Sequence, residues 1–184
     1  SAFQLLADDA SLRRELATEL LYRHFPETIH QDVLDAVGLT ISDEQESATT
    51  RRRRDPRFRV RVLRAYERKC SVCGYGLWLD DRPVGLEAAH IKWHQAGGPD
   101  EEPNGLAMCS MHHKLFDRGV FSLDPDRTVL VSELAHGNDA LGPTLLRYHG
   151  ALLRPPVRSE FAPDPEFITW HREEVFRGPA REIT

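Results

Sequence analysis

The chain has 184 residues, of which 40% are hydrophobic and 29% charged, and its formal net charge is −5 at pH 7. This composition is typical of globular proteins and excludes the collagen-like and wholly disordered classes. No apolar run approaches the roughly 18 residues that a membrane-spanning helix needs, and no basic-then-apolar leader is found, so we expect no membrane partner and a cytoplasmic location.

Residues 3–39 are predicted to be helical. Five leucines recur at largely helical spacing: Leu5, Leu12, Leu16, Leu20 and Leu21. Asp8, Asp9 and Ser11 are the candidate N-caps, and a second short helix is expected from Pro26 until glycine 38. Two amphipathic helices this short cannot hold a core by themselves, so they must pack on something else.

Positive charge is concentrated in residues 51–69, which contain ten basic and two acidic side chains. This segment therefore carries +8 and the remainder −13. A helix is expected over residues 56–69, with one apolar and one basic face. Such a segment attracts the phosphate backbone of a nucleic acid, and a solvated charged face is the alternative. The candidate DNA-binding residues are Arg51, Arg52, Arg53, Arg54, Arg57, Arg61 and Arg64.

Three cysteines and one histidine have the spacing of metal ligands. Cys70 and Cys73 form a C-x2-C pair, and Cys109 and His112 form a C-x2-H pair. Two such pairs supply the four ligands of a closed tetrahedral Zn²⁺ site. Three unrelated thiols, two of them buried as small hydrophobic groups, are the alternative.

The downstream pattern predicts a strand over residues 84–91, a helix over 110–118 that ends at Gly119, strands over 120–123 and 128–132, and a final helix over 166–177. His113 and Asp117 are four residues apart and therefore lie on one face of the helix, where they can share one cation. His112 points about 100° away, towards the zinc ligands.

A family resemblance is carried by three separated motifs. They are Ala88-Ala89-His90-Ile91, then Asn104-Gly105-Leu106, then the run from Cys109 through His112-His113-Lys114-Leu115-Phe116-Asp117-Arg118-Gly119. Together they resemble the HNH nuclease motif in its zinc-bound McrA-like form. The flanking residues 24–39, 51–58, 85–94 and 170–179 are similar to McrA-like type IV restriction endonucleases that bind phosphorothioated DNA.

The resemblance implies an α+β fold with a ββα-metal core, a structural zinc knuckle, N-terminal helices and a C-terminal helical arm. It implies four segments: 1–46, a helical segment as the tail of a modification-reading domain; 47–69, a basic linker and helix; 70–135, the HNH nuclease core; and 136–184, a C-terminal arm and helix.

The resemblance also implies roles for individual residues. His90 is the general base, Asn104 is a strut across the loop, and His113 with Asp117 binds a catalytic Mg²⁺, Mn²⁺ or other divalent cation. Lys114 and Arg118 are placed to contact phosphate. Many family members have a metal-binding Asp or His where this chain has Ala89, so either water completes the shell or Glu87 or His94 joins it, and His90 is either the base or a neighbour of the ion.

The function implied is metal-dependent hydrolysis of DNA phosphodiester bonds in restriction of modified, phosphorothioated DNA. The partner is double-stranded DNA, and two related sites are expected in a homodimer. A zinc-stabilised DNA-binding module without cleavage activity and an RNA-directed HNH nuclease are the alternatives.

Overall fold

The computed structural model describes residues 9–39 and 55–183, and the chain divides into two compact units, Ser1–Arg53 and Arg54–Thr184. The boundaries predicted after residues 69 and 135 lie inside the second unit. No helix in the described part of the chain is long and apolar enough to cross a membrane.

In the first unit, α1 (Ala10–His24) and α2 (His30–Val37) are joined by a short 3-10 turn. The Asp9 carboxylate caps α1 by accepting bonds from Ser11 and Leu12 N–H. The prediction that helix α2 begins at Pro26 is wrong, because Pro26 is extended (ψ 148°) and precedes the 3-10 turn. The glycine stop is confirmed, since Gly38 is left-handed (φ 66°).

The leucine pattern of α1 does not produce a buried face. Leu21 is buried, but Leu12, Leu16 and Leu20 are between 39% and 47% exposed. The expected packing of this stripe is therefore absent from the described residues.

The second unit begins with α3 (Phe58–Ala65), which is shorter than the predicted helix over 56–69. Glu67 and Arg68 have positive φ angles of 52° and 54°, and this left-handed pair ends the helix. The predicted apolar face is confirmed, because Phe58 and Val62 are buried.

Six short strands form three separate antiparallel pairs: β1 (Leu77–Leu79) with β2 (Arg82–Val84), β3 (Leu86–His90) with β4 (Gly105–Cys109), and β5 (Phe121–Leu123) with β6 (Val129–Val131). The predicted strand over 84–91 is two strands, since Gly85 turns the chain with φ 65°. Trp78 is 44% exposed on β1.

Helix α4 (Ser110–Asp117) follows β4 without a loop, and α5 (Leu141–Thr144) and α6 (Pro165–Glu174) complete the unit. Gly119 ends α4 as predicted, with φ 68°. The final helix stops at Glu174 rather than at residue 177.

The β3–β4 hairpin lies between two helices. His90 and the opposing Gly105 contact α3, where a Cβ on Gly105 would overlap Val62. Glu87 lies on the other face, since side chains alternate along a strand, and it contacts α4. The core of the unit fills the space around this hairpin.

His171 connects α6 to α4. Its ring is fully buried, stacks on Phe116 at 3.7 Å, and bonds to the Ser122 hydroxyl and to the Phe116 carbonyl. Burial lowers the pKa of His171 to about 3, so the ring is neutral at physiological pH.

We predict that this ring makes stability depend on pH. Because the unfolded chain protonates near pH 6.5 and the folded chain only near 3, lowering the pH from 7.5 to 5.5 removes about 1.4 kcal/mol of stability through this one group. In His171→Phe the free energy of unfolding should not show this part of the pH dependence. Urea unfolding of the wild-type protein and of the variant at both pH values measures the difference. Equal losses in the two proteins would contradict the prediction.

Candidate functional site

The four predicted zinc ligands form one cluster. The ligand atoms of Cys70, Cys73, Cys109 and His112 all lie within 4.8 Å of one another, and the cysteines are not in disulfides. Among the residues that the structure describes, this is the only group of three or more such side chains with ligand atoms this close.

His112 is oriented for ligation through Nδ1. Its Nε2 lies 3.0 Å from the Thr144 carbonyl and donates to it, so Nδ1 is the nitrogen left for a metal ion, and it lies 3.1 Å from the Cys109 sulfur. Burial lowers the pKa of His112, but the bonds to the Cys70 and Cys73 sulfurs outweigh it and raise the pKa to about 9. The cluster thus attracts positive charge, and its donor set fits Zn²⁺.

The knuckle between the first two cysteines is held by backbone bonds. Gly74 has φ 75° and donates its N–H to the Cys70 carbonyl at 2.8 Å. The Tyr75 N–H points at the Cys73 sulfur at 3.4 Å, and the Ser71 N–H bonds to β4. These bonds turn both sulfurs towards Cys109 and His112.

The second predicted metal pair is also brought together, on α4. His113 Nε2 lies 3.2 Å from an Asp117 carboxylate oxygen, and Asp117 is 3% exposed. His113 Nδ1 lies 2.6 Å from Glu87, which also accepts from the Ser110 hydroxyl. Glu87 therefore orients the ring by accepting its Nδ1 proton.

The pKa values reflect this arrangement. The bond from His113 lowers the pKa of Glu87 to about 2. Burial lowers the pKa of His113, but bonds to Asp117 and Glu87 outweigh it and raise the pKa to about 9. With Nδ1–H bonded to Glu87, the Nε2 lone pair faces a carboxylate, and that contact is favourable only if a proton or a cation lies between them.

His90 lies at the end of β3, on the hairpin face opposite Glu87. Its ring stacks on Phe58 at 4.1 Å, and its Nε2 lies 2.8 Å from Asp100. The structure thus does not gather His90 into one ligand cluster with His113 and Asp117. This placement favours the base role for His90 over the ligand role.

Asn104 spans the loop between β3 and β4. It is fully buried, its Oδ1 accepts the Lys92 N–H at 2.8 Å, and its Nδ2 donates to the carbonyls of Lys92 and Pro99. Gly98 packs so closely that a Cβ would overlap the Lys92 carbonyl. The loop that begins after His90 is therefore held by one amide side chain.

The predicted DNA-binding residues differ in their environments. Arg57, Arg64 and Lys114 are exposed, and the partly buried Arg118 donates to the Lys114 carbonyl. Arg61 forms ion pairs with Asp55 at 2.7 Å and Glu102 at 3.2 Å, so two carboxylates of the same unit balance its charge. Arg51, Arg52, Arg53 and Arg54 lie outside the described residues.

Sequence reasoning missed Asp100 and named Glu87 only as an alternative. Asp100 follows Gly97, Gly98 and Pro99, which indicated only a loop. The one available signal was an acidic residue in the loop that His90 and Asn104 flank. For Glu87, the signal was strand alternation, since it shares a face with Ala89.

The structure thus places a Cys/His cluster beside a strand–strand–helix unit, in which His90 and His113 are bonded to carboxylates. Comparison with known families gives one match: residues 70–124 match the HNH endonuclease family. This segment of the chain is therefore similar to an HNH endonuclease domain. The match covers the Cys70–Cys73 pair and the Cys109–His112 pair, together with His90, Asn104, His113 and Asp117.

One solved structure similar to this chain is a modification-dependent restriction endonuclease, TagI. The two share 24% sequence identity with a TM-score of 0.48, over 78% of this chain and 43% of the other. This chain therefore spans less than half of that protein. No curated protein matches the sequence.

We predict that the purified protein contains about one zinc ion per chain, and that His112→Ala loses it. A structural zinc site contributes on the order of 10 kcal/mol to folding, so the variant should melt at a much lower temperature. Elemental analysis and calorimetry measure the two effects, with His136→Ala, an exposed histidine, as the control. Wild-type protein without zinc, or unchanged zinc in His112→Ala, would contradict the assignment.

Proposed function

We propose that the protein is a metal-dependent HNH endonuclease with a ββα-metal core that cleaves double-stranded DNA. The observation that carries the proposal is the contact of His113 Nε2 with the Asp117 carboxylate at 3.2 Å. Two ligands at right angles, each about 2.1 Å from one Mg²⁺, are about 3 Å apart, so the spacing fits a shared cation. Mg²⁺, Mn²⁺ or another divalent cation would there offset negative charge on the attacked phosphate and the leaving oxygen.

In this proposal Glu87 supports the metal site through His113, without replacing the ligand that is missing at position 89. Ala89 is completely buried and offers no ligand, whereas Glu87, two residues earlier on the same strand face, bonds to His113. A carboxylate that accepts the second ring proton fixes the tautomer and raises the basicity of the ligating nitrogen. The cation would thus have two protein ligands, with water and substrate completing its shell.

His90 acts as the general base. The oxygen of a water molecule bonds to phosphorus while the proton of that water passes to the imidazole. The bond from phosphorus to the leaving oxygen breaks, the leaving oxygen keeps the electron pair and takes a proton from solvent, and the imidazole returns its proton to solvent. Asn104 supports this step by holding the loop that follows His90.

The base and the cation ligands lie on opposite faces of the hairpin, so the scissile phosphate must be reached from both. Among the described residues, β3 pairs only with β4, and its other edge has no strand partner. We place the phosphate along this edge, between His90 on the α3 side and His113 on the α4 side. Arg57, Arg64, Lys114 and Arg118, together with Arg51, Arg52, Arg53 and Arg54, would contact the flanking backbone.

Beyond cleavage of double-stranded DNA, we propose that the protein is selective for phosphorothioated DNA. This selectivity is supported by the similarity of residues 24–39 and 170–179 to McrA-like type IV enzymes. In that family a separate sulfur-binding domain precedes the nuclease, and residues 1–46 would be its tail. We further propose a homodimer, because two related sites cut both strands of a duplex most simply.

Cleavage of supercoiled plasmid with Mg²⁺ or Mn²⁺ tests the activity. His90→Ala and His113→Ala should each reduce nicking at least 100-fold, about the contribution of general-base or metal catalysis, while DNA binding is retained. His136→Ala is the control. Phosphorothioated plasmid should be cut faster than the unmodified plasmid.

A protein that binds plasmid without nicking it would support the binding-module alternative. Cleavage of structured RNA, but not DNA, would support the RNA-directed one. Nicking by His90→Ala at the wild-type rate would remove the assigned base, and light scattering that gives a mass near 21.0 kDa in an active sample would exclude the homodimer.

Two arginines of α3 provide a matched pair for DNA binding. Arg64→Gln should lower affinity and reduce the slope of log affinity against log salt by about 1, because one phosphate contact is lost. Arg61→Gln should mainly lower the melting temperature, because Arg61 is paired with Asp55 and Glu102. Fluorescence anisotropy at several salt concentrations measures the affinity. Equal salt slopes in Arg64→Gln and wild type would contradict a phosphate contact.

A further inference from the structure

Asp100 lies in the loop between β3 and β4 and contacts His90. Its Oδ1 is 2.8 Å from His90 Nε2, and the side chains of the two residues are only 14% and 11% exposed. We propose that Asp100 is a positioning residue for His90: it accepts the Nε2 proton, fixes the tautomer whose lone pair is on Nδ1, and makes that nitrogen more basic. This inference rests on the proposed function, in which His90 is the base.

The energetic reason is the charge that His90 acquires. When the ring takes a proton from water it becomes an imidazolium ion, and a carboxylate at hydrogen-bond distance stabilises that ion. The pair is largely removed from water, so solvent screens the attraction only weakly. A neutral acceptor in the same place would fix the tautomer but would stabilise the charge less.

The plane of the His90 ring is fixed independently of Asp100. Phe58 stacks on it with an interplanar angle of 16°. The motion that would keep the ring in this plane is a 180° flip about the Cβ–Cγ bond, and the contact of Nε2 with Asp100 selects one of the two flipped orientations. Nδ1 therefore points in one direction, as a positioned base requires.

Asp100 is itself held by the start of the unit. Its Oδ2 accepts the Asp55 N–H at 2.6 Å, and Arg61 binds both the Asp100 carbonyl and the Asp55 carboxylate. Burial opposes ionisation of Asp100, but the bonds from Asp55 N–H and His90 outweigh it and lower the pKa of the carboxyl. The side chain is therefore an anion near neutral pH.

Other charged or titratable groups lie around this contact. His94 Nε2 is 3.7 Å from Asp100 Oδ2, and its ring centroid is 5.6 Å from that of His90. Arg61 reaches the backbone of Asp100, and its charge is shared between Asp55 and Glu102. Protonation of His94 would weaken the effect of Asp100, so His94→Gln belongs in the comparison.

The pH dependence of nicking tests the role. The Asp100 carboxylate favours protonated His90, so in wild type the acidic limb of the rate profile lies at a higher pH than it would without that charge. Asp100→Asn should lower the plateau rate of nicking at least tenfold and move the acidic limb of the rate profile to lower pH by about one unit. In the His94→Gln background, Asp100→Asn should move the acidic limb in the same direction. Glu101→Gln, which removes the same charge from an exposed neighbour, should leave the limb unchanged.

A readout without catalysis comes from nitrogen-15 NMR of the histidine rings in the full chain. Wild-type His90 should carry its proton on Nε2, and the pKa of His90 should fall in Asp100→Asn. The wild-type tautomer is informative even if the variant folds poorly. A wild-type ring with the proton on Nδ1 would overturn the inference.

The two hypotheses fail in different ways. If His90→Ala nicks DNA at the wild-type rate, the proposed function loses its base whatever Asp100 does. If His90→Ala is inactive but Asp100→Asn keeps the wild-type limb, His90 remains the base and the positioning role is wrong. A slower Asp100→Asn with an unmoved limb shows that Asp100 supports only the loop, and it also overturns the inference.

Discussion

The absence of any loop between β4 and α4 is the constraint on which the two candidate sites depend. Cys109 is the last residue of the strand and the N-cap of the helix, so the position of Cys109 in the Cys/His cluster sets the direction of the first helical turn. His112 then closes that cluster and His113, rotated by about 100°, turns to Glu87 on the neighbouring strand. The Cys/His cluster and the cluster of His113 with its carboxylates thus share one eight-residue helix, because adjacent residues of a helix point in different directions. Weakening the first site would misdirect the second without any change in its own residues.

On the other face of the hairpin, side-chain hydrogen bonds hold the irregular loop between β3 and β4. Asn104 bonds to the backbone of Lys92 at the start of this loop, and Asp100 bonds to Asp55 at the N-terminal end of the unit. Buried amide and carboxylate groups are stable only when their hydrogen bonds are satisfied, so this loop has few alternative conformations. Helix α4 positions the His113 ring on one face of the β3–β4 hairpin, and the bonded loop positions the His90 ring on the other face.

The spacing of residue types in the sequence predicted features that depend only on residues close together in the chain. The C-x2-C and C-x2-H pairs, the i, i+4 relation of His113 and Asp117, and the glycine stop after α4 could be read from the sequence because each depends on residues within one turn. The helix over 56–69 was predicted too long, because Glu67 and Arg68 adopt left-handed angles that neither residue type signals. Asp100 could not be found by spacing, since its contact with His90 depends on how an irregular loop returns to its own strand. The pairing of Arg61 was hidden for the same reason, because Asp55 and Glu102 meet it only in the folded chain.

The contacts of the C-terminal residues reach into the matched segment 70–124 itself. His171 binds the Phe116 carbonyl, Thr144 accepts the Nε2 proton of His112, and the Arg154 N–H bonds to the Ser71 carbonyl. Cutting the polypeptide at the end of the family match would therefore strip hydrogen-bond partners from the interior of α4 and from the knuckle. The segment that matches the family model is shorter than the segment that folds together. Moving the matched segment alone into another protein would transfer the side chains of the candidate site without the residues that position them.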